Sequence, residues 1–215
     1  MIHVVTGKNR DRYADQLEQS YRLRYRVFVK ERKWSALART DERDVDQFDT
    51  EDAIYLLAID GTTNGVVGGS RLIPTTKPYL LTDVFSRLCT KPIPRAPNTL
   101  EWGRLFVAPA HRGGHALSVT TCHIIAGIVE YCHDHDIDQL AVVSEVYLLP
   151  RFLALGLKPE PLGLPELIDR APTVAYTLEP SEEALAKIRA VHGFTRPSIV
   201  SAGRQLRRVP VGVVT

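Results

Sequence analysis

The sequence predicts an α/β (α+β) fold, a mixed central β-sheet flanked by helices, on three observations. Short apolar runs of strand length precede, interleave with and follow segments of helical periodicity. The run from Glu101 to Val107 breaks at Pro109 into a Gly-, His- and Arg-rich turn, and a long apolar helix follows. The chain has 215 residues, 44% of them hydrophobic, without a repeat, a low-complexity linker or a composition break. That suits a single domain over residues 1–215 with a sizeable core.

The elements follow in order. Tyr13, Leu17, Tyr21, Tyr25 and Phe28 recur at steps of three or four, which predicts an amphipathic helix over 11–32. The apolar runs 53–60 and 66–73 flank a turn that begins at Asp60-Gly61 and read as a hairpin. A short helix is expected over 80–88 and a strand over 100–107. Leu117, Ile124, Ile125, Ile128, Val129 and Cys132 mark one helix face. Residues 139–144 read as a strand, 148–155 as a helix ended by Gly156, and 174–178 as a strand. Ser181 caps a last helix, with Glu182 and Glu183 in its first turn and Gly193 past its end.

Composition excludes several function classes. Net charge is only +2. The basic run Arg22, Arg24, Arg26, Lys30, Arg32 and Lys33 is offset by Asp41, Glu42, Asp44, Asp46, Asp49, Glu51 and Asp52, so no nucleic-acid surface is expected. No run approaches the ~20 apolar residues of a membrane span. Residues 1–10 lack the apolar core of a signal peptide. Cys89, Cys122 and Cys132 are odd in number, lack metal-ligand spacing and read as reduced thiols, so a cytoplasmic location is expected. The cluster Cys132-His133-Asp134-His135-Asp136 lies at a helix end without a second cluster, so no metal is expected.

Two constellations carry chemistry. Glu101 and Arg104 stand beside a turn where backbone N–H groups and a helix N-terminus converge, an arrangement that suits group transfer from a phosphate-bearing carrier. Upstream lie Arg24, Phe28, Trp34, Asp46 and Asp49. A ligand with an α-carboxylate, an α-ammonium and a sulfonium needs these residue types. A guanidinium forks onto the carboxylate, carboxylates neutralise the ammonium, and aromatic faces attract the sulfonium. Composition alone favours a solvated helix face and loop.

The pattern Arg24-x-x-x-Phe28, Trp34, Asp46-x-x-Asp49, Tyr55-Leu56-Leu57, Arg71, Phe85 and Glu101-x-x-Arg104 resembles the LuxI-type acyl-homoserine-lactone synthases, the autoinducer synthases of quorum sensing. The match is in register over about 20–107 and looser to about 180. The resemblance implies an acyltransferase that joins S-adenosylmethionine to an acyl thioester, closes the lactone and releases methylthioadenosine. It implies that Arg24, Phe28, Trp34, Asp46, Asp49 and Arg104 shape the S-adenosylmethionine pocket, within an N-terminal part of about 1–107. S-adenosylmethionine is then a substrate, and no cofactor is expected. Glu101 is the candidate base or amine-orienting group, with Arg104 also catalytic. Backbone N–H groups around Phe106 are candidates for the oxyanion. Arg71 has either a ligand role or a bracing ion pair with the acidic loop; we take it as structural.

That family's fold is similar to the GNAT acetyltransferases, whose pyrophosphate turn is matched most closely by His111-x-x-Gly114-x-Ala116 with Arg112 beside it. His111 departs from the pattern at its first position. The acyl donor is expected to bind over about 100–180, with Trp102, Phe106, Val107, Arg112, Gly114, Val142, Ser144 and Tyr147 as candidates. The later segments 148–152 and 161–165 look closer to the branch that uses acyl-coenzyme A. Trp102, bulky where many carrier-protein users have a smaller residue, favours a short branched or aryl acyl group. Acyl carrier protein is the alternative donor; Arg151, Lys158 and Arg170 make only a thin docking patch. A GNAT-type N-acyltransferase on another amine would not need the upstream cluster.

Overall fold

The computed structural model describes residues 1–113 and 117–200. Strands β1 (Ile2–Val5), β2 (Ile54–Ile59), β3 (Val66–Pro74), β4 (Thr99–Val107), β5 (Gln139–Glu145), β6 (Glu160–Pro161), β7 (Glu166–Ile168) and β8 (Ala171–Leu178) share one sheet. Their order is β1-β2-β3-β4-β5-β8-β6, with β7 also paired to β8. β4 and β5 are parallel and joined through helix α3 (Val119–Asp134); the other pairings are antiparallel. The mixed sheet flanked by helices is therefore the observed architecture.

Strand alternation sorts side chains into two layers. Leu56, Leu72, Leu100, Trp102, Leu140, Val142 and Tyr176 join Ile124, Ile125, Ile128 and Val129 of α3 in one core. On the other face, Tyr55, Leu57 and Ile59 meet Leu17 and Tyr21 of helix α1 (Ala14–Tyr25). Further along that face, Ile73, Ala141 and Ala175 meet Tyr79, Leu81 and Leu88, around the short helix α2 (Leu80–Asp83). Fully burying one such side chain is worth roughly 1.5–3 kcal/mol.

Two irregularities matter for the site. β4 pairs with β5 over Thr99–Trp102 against Gln139–Val142, yet β4 runs on to Val107 and β5 to Glu145. The strands separate beyond that point and open the sheet. On its other edge, β4 pairs Gly103 with Arg71 and Phe106 with Gly69, so Arg104 and Leu105 together stand opposite Ser70. This is a β-bulge, and Arg104 takes a left-handed φ of +53° within it.

The predicted helix over 11–32 is compound: a 3₁₀ turn at Arg10–Tyr13, then α1, then a π-helical turn at Arg26–Glu31. The last two helices are α4 (Leu149–Ala154) and α5 (Glu182–His192). Ser118 and Ser181 cap α3 and α5 by accepting from the N–H groups of Thr121 and Ala184, and Gly193 ends α5 at φ +67°. The expected 80–88 helix is reduced to α2 and a turn at Ser86–Leu88. β1, β6 and β7 were not anticipated, being two to four residues long. β1 is fixed by a distant segment: the buried Glu130 carboxylate accepts from the N–H groups of Ser198 and Ile199, and Ile199 bridges to Ile2. Among the described residues no helix is long and apolar enough to cross a membrane.

Candidate active site

Three arginines and three aspartates form a closed ring beneath the β4 bulge. Arg24 reaches Asp44 at 2.9 Å and Asp49 at 2.8 Å. Arg71 takes Asp49 at 2.8 Å and both oxygens of Asp46 at 2.7 and 2.9 Å. Arg104 closes the circuit to Asp46 at 2.9 Å and Asp44 at 2.8 Å. The formal charges cancel, and each carboxylate serves two guanidinium groups, which offsets the desolvation of burying ions. Burial alone would raise the Asp44 and Asp49 carboxyls; Arg24 with Arg104, and Arg24 with Arg71, hold both below the ordinary carboxylate value instead. The ring is graded in exposure. The side chains of Arg24 and Asp49 are 1% and 0% exposed, against 7% and 14% for Arg104 and Asp46.

Arg104 and Asp46 face a cavity of about 430 Å³. On the α1 side it is lined by Phe28, Trp34, Asp46, Phe48, Glu101 and Arg104. On the α3 side it is lined by Trp102, Val142, Ser144, Leu148 and Phe152, so the cavity passes through the opening between β4 and β5. Just after the π turn the Trp34 N–H donates to the Phe28 carbonyl, and the two rings stack with centroids 5.0 Å apart. The Arg104 guanidinium lies 5.7 Å over Phe28 and that of Arg32 lies 5.8 Å over Trp34. On the apolar side, Trp102 meets Phe152 edge-on at 5.3 Å, and the Ser144 hydroxyl bonds to the Tyr176 hydroxyl at 2.8 Å.

Glu101 stands between the two sides. Its oxygens accept from the Leu80 and Leu81 N–H groups at 3.0 and 2.9 Å. Burial pushes its carboxyl up to about 7; those N–H groups, Arg71 and Arg104 oppose the rise without cancelling it. A carboxyl poised there exchanges a proton near neutral pH.

The sequence candidates are therefore divided by the structure. Phe28, Trp34, Asp46, Glu101, Trp102, Arg104, Val142 and Ser144 come together on one cavity. Arg24 and Asp49 do not line it; they lie behind Asp46 and Arg104 and hold them, as does Arg71. Phe106 and Val107 do not line it either. The bulge turns Phe106 onto Phe28 and Val27, and Val107 into the α3 core. Tyr147 is 49% exposed beneath Arg151, away from the cavity. Arg112 donates to the Val107 carbonyl at 2.8 Å and pairs with Glu31 at 2.6 Å. Gly114, with the rest of the turn through Ala116, lies outside the described residues. Sequence reasoning missed Asp44 as a site residue, although its place in the acidic run was visible. It also missed Leu148 and Phe152, whose spacing of four on a helix was the available signal. Among the described residues, no group of His, Cys, Asp and Glu side chains could hold a metal ion.

A family described as "Autoinducer synthase" matches residues 8–188. The isovaleryl-homoserine lactone synthase of Bradyrhizobium diazoefficiens is 42% identical over 201 residues, covering 93% of this chain and 88% of that protein. A solved structure of a CoA-dependent acyl-homoserine lactone synthase, BjaI, with SAM and isopentyl-CoA, superposes with a TM-score of 0.87 at 39% identity. That match covers 96% of this chain and 95% of that one. An N-acetyltransferase structure from Lactobacillus plantarum shares the fold alone, with a TM-score of 0.54 at 18% identity over 84% of this chain and 99% of that one.

Proposed function

Because this chain belongs to the autoinducer synthase family, we propose that it makes an N-acyl-homoserine lactone from S-adenosylmethionine and a short, branched acyl-coenzyme A, releasing methylthioadenosine. The observation that carries the reading is the two-sided cavity. One side offers a guanidinium, a carboxylate and stacked aromatic faces to a sulfonium amino acid. The other offers an apolar pocket, and Glu101 lies where the two meet.

The chemistry follows from that arrangement. Arg104 takes the α-carboxylate, Asp46 attracts the α-ammonium, and Phe28 with Trp34 faces the sulfonium. Arg24, Asp44, Asp49 and Arg71 keep Asp46 and Arg104 in place. Glu101, directly or through water, takes a proton from the ammonium. The free amine attacks the thioester carbonyl, and the tetrahedral oxyanion finds donors among the amides of the bulge, Gly103 to Leu105, which line the cavity. Collapse passes a nitrogen proton to the sulfur, expels coenzyme A as the thiol and leaves the amide. The α-carboxylate then attacks the γ-carbon, the carbon–sulfur bond breaks, and methylthioadenosine departs as the ring closes. Each step is chiefly positioning, which can supply about 7–11 kcal/mol of a barrier. No cofactor is required.

Within this reading the N-terminal part, about 1–107, handles S-adenosylmethionine and the part at about 100–180 handles the acyl donor. The Bradyrhizobium relative's isovaleryl group and the Trp102–Phe152 contact both favour a compact acyl chain. Lys158, a residue that a carrier protein would need, already pairs with Glu183. Both proposed substrates belong to the cytoplasm, and we place the enzyme there. The test is methylthioadenosine release with a panel of acyl-coenzyme A and acyl carrier protein donors, with lactone products identified by mass. Release requiring both S-adenosylmethionine and isovaleryl-coenzyme A supports the proposal. Turnover with carrier protein alone refutes the coenzyme A assignment, and the absence of release with every donor refutes the whole.

A further inference from the structure

We propose that Ser70, which does not line the cavity, fixes acyl-group selectivity by pinning the indole of Trp102. The proposal rests on the reading above that the Trp102 side of the cavity receives the acyl chain. Ser70 sits on β3 opposite the bulge and is 1% exposed. Its Oγ accepts from Trp102 Nε1 at 2.8 Å and donates to the Gly103 carbonyl at 2.8 Å. The single hydroxyl proton is thereby used, so both bonds have a defined direction. Trp102 is itself 3% exposed, with Phe152 against its edge. A buried indole N–H must find an acceptor, and among the described residues Ser70 is the one it has, so this bond selects the ring orientation. The orientation in turn sets the depth of the apolar arm between Trp102, Val142 and Phe152. The same hydroxyl holds the carbonyl of Gly103, so the pocket wall and the entry to the bulge are keyed to one side chain.

Ser70→Ala removes the acceptor without touching the cavity wall. The ratio of kcat/KM for isovaleryl- over octanoyl-coenzyme A should fall by about tenfold, the scale on which apolar pockets discriminate single methylenes. Ser70→Cys, with similar volume and a weaker acceptor, should give an intermediate ratio. In a Trp102→Phe background, which has no N–H, Ser70→Ala should leave the ratio within twofold. The chain has two tryptophans, so indole N–H exchange by NMR reads the pin directly. One of the two signals should exchange slowly in the parent and quickly in Ser70→Ala and Ser70→Cys. An unchanged ratio despite faster exchange overturns the proposal, as does an equal Ser70→Ala effect in both backgrounds. Lactone formation from no acyl-coenzyme A by the parent enzyme would overturn the functional reading on which it rests. The exchange measurement would still report whether the pin exists.

Discussion

Asp44→Ala tests the ion-pair ring most directly. Asp44 is 2% exposed, and its Oδ2 accepts from both Arg24 Nε at 2.9 Å and Arg104 Nε at 2.8 Å. Removing it strands two guanidinium N–H groups away from water and leaves the ring with a net positive charge. Breaking a buried pair by deleting one member costs about 3–5 kcal/mol. For a chain of this size each kcal/mol moves Tm by roughly 2–4 °C, so Tm should fall by about 6–20 °C. Asp44→Asn, which keeps an acceptor oxygen but not the charge, should fall in between. Asp41→Ala removes the exposed Arg39–Asp41 pair and should stay within about 1 kcal/mol. Calorimetry with urea titration at neutral pH measures all three. The ring also dictates the acid limb. Because Asp44 and Asp49 are held below their ordinary value, their contribution is intact above about pH 4 and is lost as pH falls further. Asp44→Ala should flatten that limb. A Tm within 2 °C of the parent, or no difference from Asp41→Ala, would refute the claim that the ring is a cooperative buried unit.

Other outcomes follow from the cavity. The free enzyme's kcat/KM should rise as pH passes upward through about 7, when Glu101 loses its proton. Glu101→Gln should abolish that limb and slow acylation by about 10²–10⁴-fold, and a limb that survives would remove Glu101 from proton transfer. Phe28→Ala removes the ring between Trp34 and Arg104 and should raise KM for S-adenosylmethionine about tenfold or more, with little change for the acyl donor, measured by varying each substrate in turn. At Gly103 an added Cβ meets nothing within 4 Å, and the residue lines the cavity. Gly103→Val should therefore fold with a near-parental Tm yet lose most turnover, because its side chain occupies substrate space.

The layers were legible because they depend on periodicity. The apolar runs 53–60 and 66–73, the face of α3 and the caps at Ser181 and Gly193 are local signals, and the structure has them. β1 was not legible: Ile-His-Val-Val becomes a strand because residues 198–200 and β2, both distant in sequence, pair with it. The site was legible in composition but not in depth. Arginines and aspartates in one motif look alike along the sequence, and only their packing separates Arg24 and Asp49, which are sealed, from Arg104 and Asp46, which face the cavity. Phe106 and Val107 lie off the cavity for a specific reason. On a regular strand Phe106 would share the face of Trp102, and the bulge at Arg104–Leu105 inverts the parity of everything after it.

That inversion brings Glu101 and Arg104 to the same face of the sheet. Three residues apart on an ideal strand, they would point to opposite faces of the sheet. Trp102 and Glu101 do point to opposite faces: the indole reaches the α3 core and the carboxylate reaches α2. The left-handed Arg104 breaks the alternation and brings its guanidinium back to the Glu101 side, onto Asp44 and Asp46. A regular β4 could present either Glu101 or Arg104 to the α1 side, but not both. The bulge also ends the stretch in which β4 follows β5, and the sheet opens at that point. A sulfonium amino acid held on the α1 side and a thioester entering from the α3 side can then meet through the sheet, at the level of Glu101 and Gly103. An arrangement in which both substrates entered from one face would have to crowd the acyl chain against the ion-pair ring. Passing it through the opening keeps the apolar chain on apolar side chains and the charges on charges.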